Sequence, residues 1–433
     1  MDILKLLLIF LVIILVLWLH KPLSLAIVAA TLVIWPLYGL APQTVLESVI
    51  RGAIGWDTIQ LLLVLYLITF LQRMLEKRGC LSNAKEALDG LFHSRRVDAS
   101  VAPALLGMLP AVGTVLICGD IVRQTTDGFL TREEQACVTS YYRHVSELFF
   151  PTYTSILIAI NLTDGRISVG VFTLAMLPMM ALLMAVGWLV YLRKLPKDTG
   201  FTADQPKRFY WKLLLRSLWT ILFTVVLIVA FSVPVHIAIL LCILCNAVVS
   251  RFRWQELKPF FASAFEARLL VSTLLIMVFK EVLAATGVIN RLPELFSQLA
   301  IPSFLVFALV FFFGSIISGS QAIIVLCMSM AMATVEQGSG LPLFVLLMSM
   351  TYAAMQLSPV HVCLAVCAED YRVSLGALIR KTLPLVLLFC LCAFLYSGLL
   401  WVCLFAIGHI VHSTIQSGTN CDHFCNSHLQ LQY

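Results

Sequence analysis

The sequence predicts an all-α polytopic membrane protein with two inverted-topology repeats, about ten transmembrane helices, two re-entrant hairpins and two discontinuous helices. Three observations predict it. The 433 residues are 61% hydrophobic and only 12% charged, against roughly 25% charged residues in a soluble domain. Apolar runs recur every ~20 to 30 residues with short polar joints, near the length a bilayer requires. Two of the runs are interrupted close together, LLGMLPAVGT at Leu105 to Thr114 and FFPTYT at Phe149 to Thr154. Lipid tolerates unwound backbone only where that backbone lines a protein-enclosed cavity.

The bulk numbers exclude several classes. The formal net charge of +6 comes from Lys and Arg in loops beside the spans, where membrane topology accounts for them without a nucleic-acid partner. Most of the 13 cysteines, among them Cys242, Cys245, Cys363, Cys367, Cys390 and Cys392, sit inside apolar runs, where a thiol behaves as a small hydrophobe. Cys421 and Cys425, with His423 and His428 nearby, lie in a polar tail. Pairing or metal binding there competes with an unstructured tail, which the composition favours. The run Leu6 to Leu19 resembles a signal-peptide core, but no small-residue cleavage site follows and Lys21-Pro22 opens another span, so it reads as a retained helix.

The first repeat, residues 1–192, opens with spans at Leu4 to Leu19 and Leu23 to Leu40. An amphipathic connector, Gln43 to Ile54, leads to a third span, Thr58 to Leu75. A charged loop, Glu76 to Asp98, precedes Ala99 to Gly128, a segment too broken for a plain span and read as a hairpin. Glu133 to Leu162 crosses with Pro151 in its interior, and Ile167 to Leu192 closes the repeat. A cytoplasmic linker, residues 193–212, follows.

The second repeat, residues 213–407, takes the same order. Its spans are Leu213 to Phe231, Val235 to Val249 and Leu269 to Ala285, with a connector at Trp254 to Phe265. Its hairpin is Ser303 to Thr334, tipped at Ser318-Gly319-Ser320-Gln321. Its broken span is Leu341 to Ala368, interrupted at LSPVHV, and the last span runs from Leu383 to about Ile407, before a polar tail at 408–433. Landmarks pair at a nearly constant shift: Gln43 with Gln255 at about 212, Gly79 with Gly287 and Pro151 with Pro359 at about 208, Gly107 with Gly314 at about 207, Pro178 with Pro384 at about 206. Five crossings per unit is an odd number, so the units face the membrane in opposite directions. The Lys- and Arg-rich loops then lie in the cytoplasm and both termini outside, in the inner membrane.

In such an arrangement a ligand sits where hairpin tips meet broken spans, held by half-helix N-termini and freed carbonyls. Unpaired N–H groups and the positive dipole end attract a carboxylate or oxyanion, and exposed carbonyls suit Na⁺. The candidate binding residues are therefore Pro110, Ala111, Val112, Gly113 and Thr114 at the first tip and Pro151, Thr152, Tyr153 and Thr154 at the first break. Their counterparts are Ser318, Gly319, Ser320 and Gln321 with Ser358, Pro359, Val360 and His361. The competing reading is a set of ordinary kinks with hydroxyls bonded back to their own helix.

Ionisable groups inside spans are costly and so are functional candidates. Arg143, His144 and Glu147 share one helical face, with Arg143 and Glu147 one turn apart. An internal ion pair is the favoured role for Arg143 with Glu147. His144 is equally suited to carry a proton, because its ordinary pKa lies near physiological pH. Asp120 and Arg123 are spaced for an i,i+3 pair stapling the first hairpin. Lys280 and Glu281, set by the repeat against Gln72 and Arg73, belong at a span end where long side chains snorkel. His236 and Asp57 are interfacial. There is no metal-ligand spacing, P-loop or nucleophile motif, which argues against an ATP-driven pump or a hydrolase, and no cofactor is expected beyond Na⁺ or H⁺ as coupling ion.

The whole pattern resembles the ion transporter superfamily, which includes permeases for gluconate, citrate, dicarboxylates and arsenite. More narrowly, MLPAVGT followed by YYRHVSELFFPTY, Tyr141 to Tyr153, is similar to domain-of-unknown-function family 401, in which an aromatic-Arg-His-x-x-Glu run precedes an aromatic-Pro pair. SGSQA at Ser318 to Ala322 is a looser match. The resemblance implies a secondary active transporter of a small anionic solute, not an enzyme, working by alternating access as a homodimer. The alternatives are a membrane-embedded enzyme acting on lipid-linked substrates, for which the carboxylates are too scattered, and a passive anion channel. Pro110→Ala combined with Gly113→Ala is expected to abolish solute uptake into proteoliposomes while the protein still inserts; unchanged uptake would mean that this tip is not the site.

Overall fold

The computed structural model describes residues 2–416 except positions 20, 93, 109–113, 197–204, 290, 292–300, 336–337, 339 and 360. Among them the secondary structure is helical throughout the membrane-like body. Helices α1 (Asp2–Trp18) and α2 (Leu23–Tyr38) pack on each other, α3 (Pro42–Ile54) is the amphipathic connector, and α4 (Trp56–Lys77) follows after Gly55. Pro42 opens α3 where its missing N–H would have no partner anyway.

The stretch from Glu76 to Asp98, expected as a loop, is instead α5 (Cys80–Phe92) and α6 (Arg95–Asp98). Ala84, Ala87, Leu88 and Leu91 fall at helical spacing and are buried, so the charges that suggested a loop belong to an amphipathic helix packed on the helix at Lys207–Val229.

The first hairpin is α7 (Val101–Gly107) and α8 (Thr114–Thr126). The first broken span is α9 (Arg132–Arg143), a 3₁₀ turn at Val145–Leu148 and α10 (Thr154–Asn161), followed by α11 (Val169–Val190). A capping box fixes where α9 begins: the Thr131 hydroxyl accepts from the Glu134 N–H, and the Glu134 carboxylate accepts from the Thr131 N–H.

In the second half, α12 (Lys207–Val229) starts inside the segment expected as linker. Then come α13 (Val235–Val249), the connector α14 (Trp254–Ser263) and α15 (Ala267–Ala285). The second hairpin is α16 (Ser303–Ser318) and α17 (Ser320–Ala333), joined by Gly319 alone. Its φ of +86° and ψ of 151° lie in a region that side chains exclude. The second broken span is α18 (Leu341–Met355) and α19 (Val362–Asp370), and α20 (Leu375–Gln416) ends the described chain.

Among the described residues, four stretches are long and apolar enough to cross a membrane: Pro42–Lys77, Val169–Val190, Lys207–Val229 and Leu375–Leu404. Shorter apolar helices include Leu23–Tyr38, Val235–Val249 and the arms of the second hairpin. In α20, Leu385, Phe389 and Ala393 face the core while Leu387, Leu391, Leu395 and Leu399 are exposed. A helix apolar on both faces fits lipid on one side and protein on the other.

The packing is reciprocal between the halves. Helix α13 lies on α4 and α2 on α15; α10 lies on α17 and α19 on α8. Each hairpin's second arm is thus clasped by the half-helix of the opposite broken span. At the end of one clasp, Arg123 reaches Asp370 at 2.6 and 3.3 Å and Asp120 at 2.8 Å. Asp120 and Arg123 therefore pair as their spacing predicts, and Asp370 extends the pair across the halves. Near the other clasp, Arg166 donates to the Met332 carbonyl at 2.8 Å and Lys280 meets Asp164 at 2.6 Å. Lys280 was expected to snorkel; it does sit near a span end, and it closes an ion pair there.

Two predictions follow from these tethers. Asp370→Asn should lower stability by about 1–2 kcal/mol, the range for partly exposed charge-assisted hydrogen bonds. Thermal unfolding of Asp370→Asn, Arg123→Met and the double variant in detergent should show non-additivity of that order, whereas additive effects would mean that the bridge contributes nothing. At the connector, outside the spans, the Arg78 guanidinium lies 2.9 Å from Glu256 and holds its carboxyl down to about 2, aided by the Arg253 N–H. A carboxyl held below its ordinary value stabilises the fold fully above that value and loses the effect as pH falls toward the folded one. The stability difference between wild type and Glu256→Gln should accordingly be constant above pH about 5 and vanish on acidification toward about 2.

Candidate functional site

Both broken spans are interrupted at proline. Pro151 and Pro359 offer no N–H and disfavour a helical residue before them, so α9 and α18 cannot run on through these points. The first interruption begins earlier than Pro151: α9 ends at Arg143, and His144 to Tyr153 form the 3₁₀ turn and the extended entry to α10. The second spans Gln356 to His361, with His361 in extended conformation immediately before α19.

The two interruptions meet. His144 Nε2 lies 3.0 Å from His361 Nε2, across 217 residues of sequence, with ring centroids 5.1 Å apart. His144 is wholly buried, and its Nδ1 is 2.5 Å from the Ser140 carbonyl one turn earlier. A carbonyl only accepts, so Nδ1 carries the proton and Nε2 presents a lone pair toward His361. Arg143 and Glu147 form the ion pair that their spacing predicts, through Nη1 and Oε1, and Glu147 Oε1 also lies 4.0 Å from His144 Nε2. Cys363, in the first turn of α19, completes a group with the two imidazoles in which the ligand atoms all lie within 4.8 Å of one another. Sequence spacing could not reveal this group, because one member stands over 200 residues from the other two.

The first hairpin reaches the same place. The Tyr153 hydroxyl donates to the Gly107 carbonyl at the end of α7 and lies 3.2 Å from Ser146 Oγ. A Cβ at Gly107 would collide with the Arg143 carbonyl, so only glycine lets the hairpin arm approach the broken helix this closely. Of the expected first tip, Pro110, Ala111, Val112 and Gly113 lie outside the described residues, as does Val360 at the second break. Thr114 is buried at the start of α8. Thr152, with Met108, Phe150, Leu71, Gln72 and Ile221, lines a shallow, mostly apolar groove beside the first break.

Several expected ligands are engaged elsewhere. The Ser358 hydroxyl donates to the Ile316 carbonyl at 2.8 Å, docking the second hairpin on the second break, and the Ser318 hydroxyl donates back to Gly314 at 2.8 Å. Ser320 begins α17, and Gln321 and Pro359 are exposed.

Among the described residues, buried polar groups without other partners include Arg143 Nε, the Ser315 and Ser349 hydroxyls, and the facing Gln356 amide and Tyr352 hydroxyl. Each such group costs about 1–3 kcal/mol if left unmatched, which favours a polar occupant. Half-helix α19 begins directly after His361 and half-helix α10 directly after Tyr153, at the end of the first interruption, and neither has a side-chain cap. Their first-turn N–H groups and positive dipole ends suit an anion.

No curated protein matches the chain. Among solved structures, the crystal structure of the YdaH transporter of Alcanivorax borkumensis superposes with a TM-score of 0.63, at 12% identity, over 89% of this chain and 98% of that one. At that identity the likeness establishes a common fold. The model of a family described as protein of unknown function (DUF401) matches residues 3–399, nearly the whole length, and the chain belongs to that family.

Proposed function

We propose that this protein is a secondary active transporter of a small anionic solute, a carboxylate or oxyanion, moving it by alternating access coupled to Na⁺ or H⁺. The observation that carries the reading is the meeting of the two helix breaks at His144 and His361, each break followed by an uncapped half-helix N-terminus, with a buried arginine beside the contact. A membrane protein gains nothing in stability from such a place. It is what an intermittently occupied binding site requires.

Reciprocal packing of hairpin arms against opposite half-helices supports two inverted repeats, and with them a rocking or sliding of one set of elements against the other. The apolar groove beside Thr152 supplies a path on the side of α4, α12 and α13. Arg143 holds Glu147 and so anchors the broken helix, leaving one face of its guanidinium, at Nε, for the solute. In this reading the protein works as a homodimer in the inner membrane with both termini outside.

The test is uptake into proteoliposomes of a panel of labelled carboxylates and oxyanions under imposed Na⁺ or H⁺ gradients. Accumulation of at least one solute above equilibrium, collapsing when the gradients are dissipated, is the expected result. Equilibration without accumulation would make the protein a channel, and turnover of lipid-linked substrates with no uptake would make it an enzyme.

A further inference from the structure

We propose that His144, His361 and Cys363 form a binding site for one divalent transition-metal ion of the Zn²⁺ class, spanning the two broken helices. Three potential ligand atoms already lie within 4.8 Å of one another, with the two Nε2 atoms 3.0 Å apart. Around tetrahedral Zn²⁺, with bonds of about 2.0–2.1 Å to nitrogen, two imidazole nitrogens stand roughly 3.3 Å apart. The pair therefore needs to open by only a few tenths of an ångström.

The tautomer of His144 matches this use. Its Nδ1–H points at the Ser140 carbonyl at 2.5 Å, the outer-shell bond that ligating histidines ordinarily make, and it leaves Nε2 free to coordinate. Cys363 sits in the first turn of α19, two residues after His361, and would bind metal as the thiolate, releasing its proton on binding. Two imidazoles and a thiolate select Zn²⁺ or Co²⁺ over Mg²⁺ and Ca²⁺, which take oxygen ligands. Three protein ligands leave a fourth position for water or a solute oxygen, and the Glu147 carboxylate, paired with Arg143, lies 4.0 Å from His144 Nε2.

An ion there would tie the first broken helix, through His144, to the second, through His361 and Cys363. The site does not depend on the transport reading and is tested without a transport assay.

Full-length protein, purified metal-free in detergent, is titrated with Co²⁺ and followed by absorption. One equivalent is expected to bind, giving the visible bands of a tetrahedral ion together with a thiolate-to-cobalt charge-transfer band, and Zn²⁺ should displace it. Cys363→Ser should remove the charge-transfer band and weaken Co²⁺ binding by at least about tenfold, and His361→Gln should weaken it similarly. Zn²⁺ should raise the thermal midpoint of wild type and leave that of Cys363→Ser unmoved. Equal midpoints of the metal-free proteins verify that the variants fold, and a variant that does not fold is replaced by carbamidomethylation of the wild-type thiols, which should likewise abolish the band. Absence of Co²⁺ binding to wild type, or an identical spectrum and affinity in Cys363→Ser, overturns the proposal.

Discussion

Every backbone N–H and C=O at membrane depth must find a partner within the protein, because hydrocarbon supplies none. This constraint organises the molecule. Two helices are broken at Pro151 and Pro359, and each break releases groups that an intact helix would have satisfied. The breaks are tolerable only because other elements enclose them: the arm of the first hairpin, pressed against Arg143 through Gly107, and the arm of the second, docked by Ser358 on Ile316. The hairpins are thus the cover that permits the breaks, and the breaks give the hairpins something polar to cover.

Enclosure also accounts for the charges that lie off the site. Each hairpin's second arm takes its position from the half-helix packed along it. Arg123 on α8 is held by Asp370 at the end of α19, and the Tyr371 hydroxyl donates to the Gly119 carbonyl on the same arm at 2.9 Å. A Cβ at Gly119 would stand 2.7 Å from Asp370 Oδ2 and would push that carboxylate away from its place against Arg123. On the other clasp, Arg166 and Ser329 bond carbonyls at the ends of α17 and α10. Polar bonds at the ends and apolar packing along the length give each clasp a defined register that can still be released as a unit.

Much of this was legible in the sequence because it is local. Proline and glycine punctuate the chain where the helices break, and i,i+3 and i,i+4 spacing identified Asp120 with Arg123 and Arg143 with Glu147, both of which pair. The helix at Cys80–Phe92 was obscured by its charges, although its buried alanines and leucines carry the period. What could not be read is whatever depends on contact across some two hundred residues: Asp370 as the second partner of Arg123, and His144 against His361. No local period records such a pair. The constant shift between landmarks brought the two breaks into correspondence, but correspondence under a repeat is not contact, and only packing makes it so.

The chemistry of the centre differs from the expected one for a related reason. Hydroxyls near a helix break have a carbonyl within reach and donate to it, as Ser318 and Ser358 do, which withdraws their protons from an anion. Imidazole has two separated nitrogens, so His144 can satisfy the backbone with one and still present the other. A buried site assembled from broken helices therefore retains its imidazoles, its thiol and its uncapped N–H groups, while the hydroxyl protons of Ser318 and Ser358 go to the architecture that encloses it.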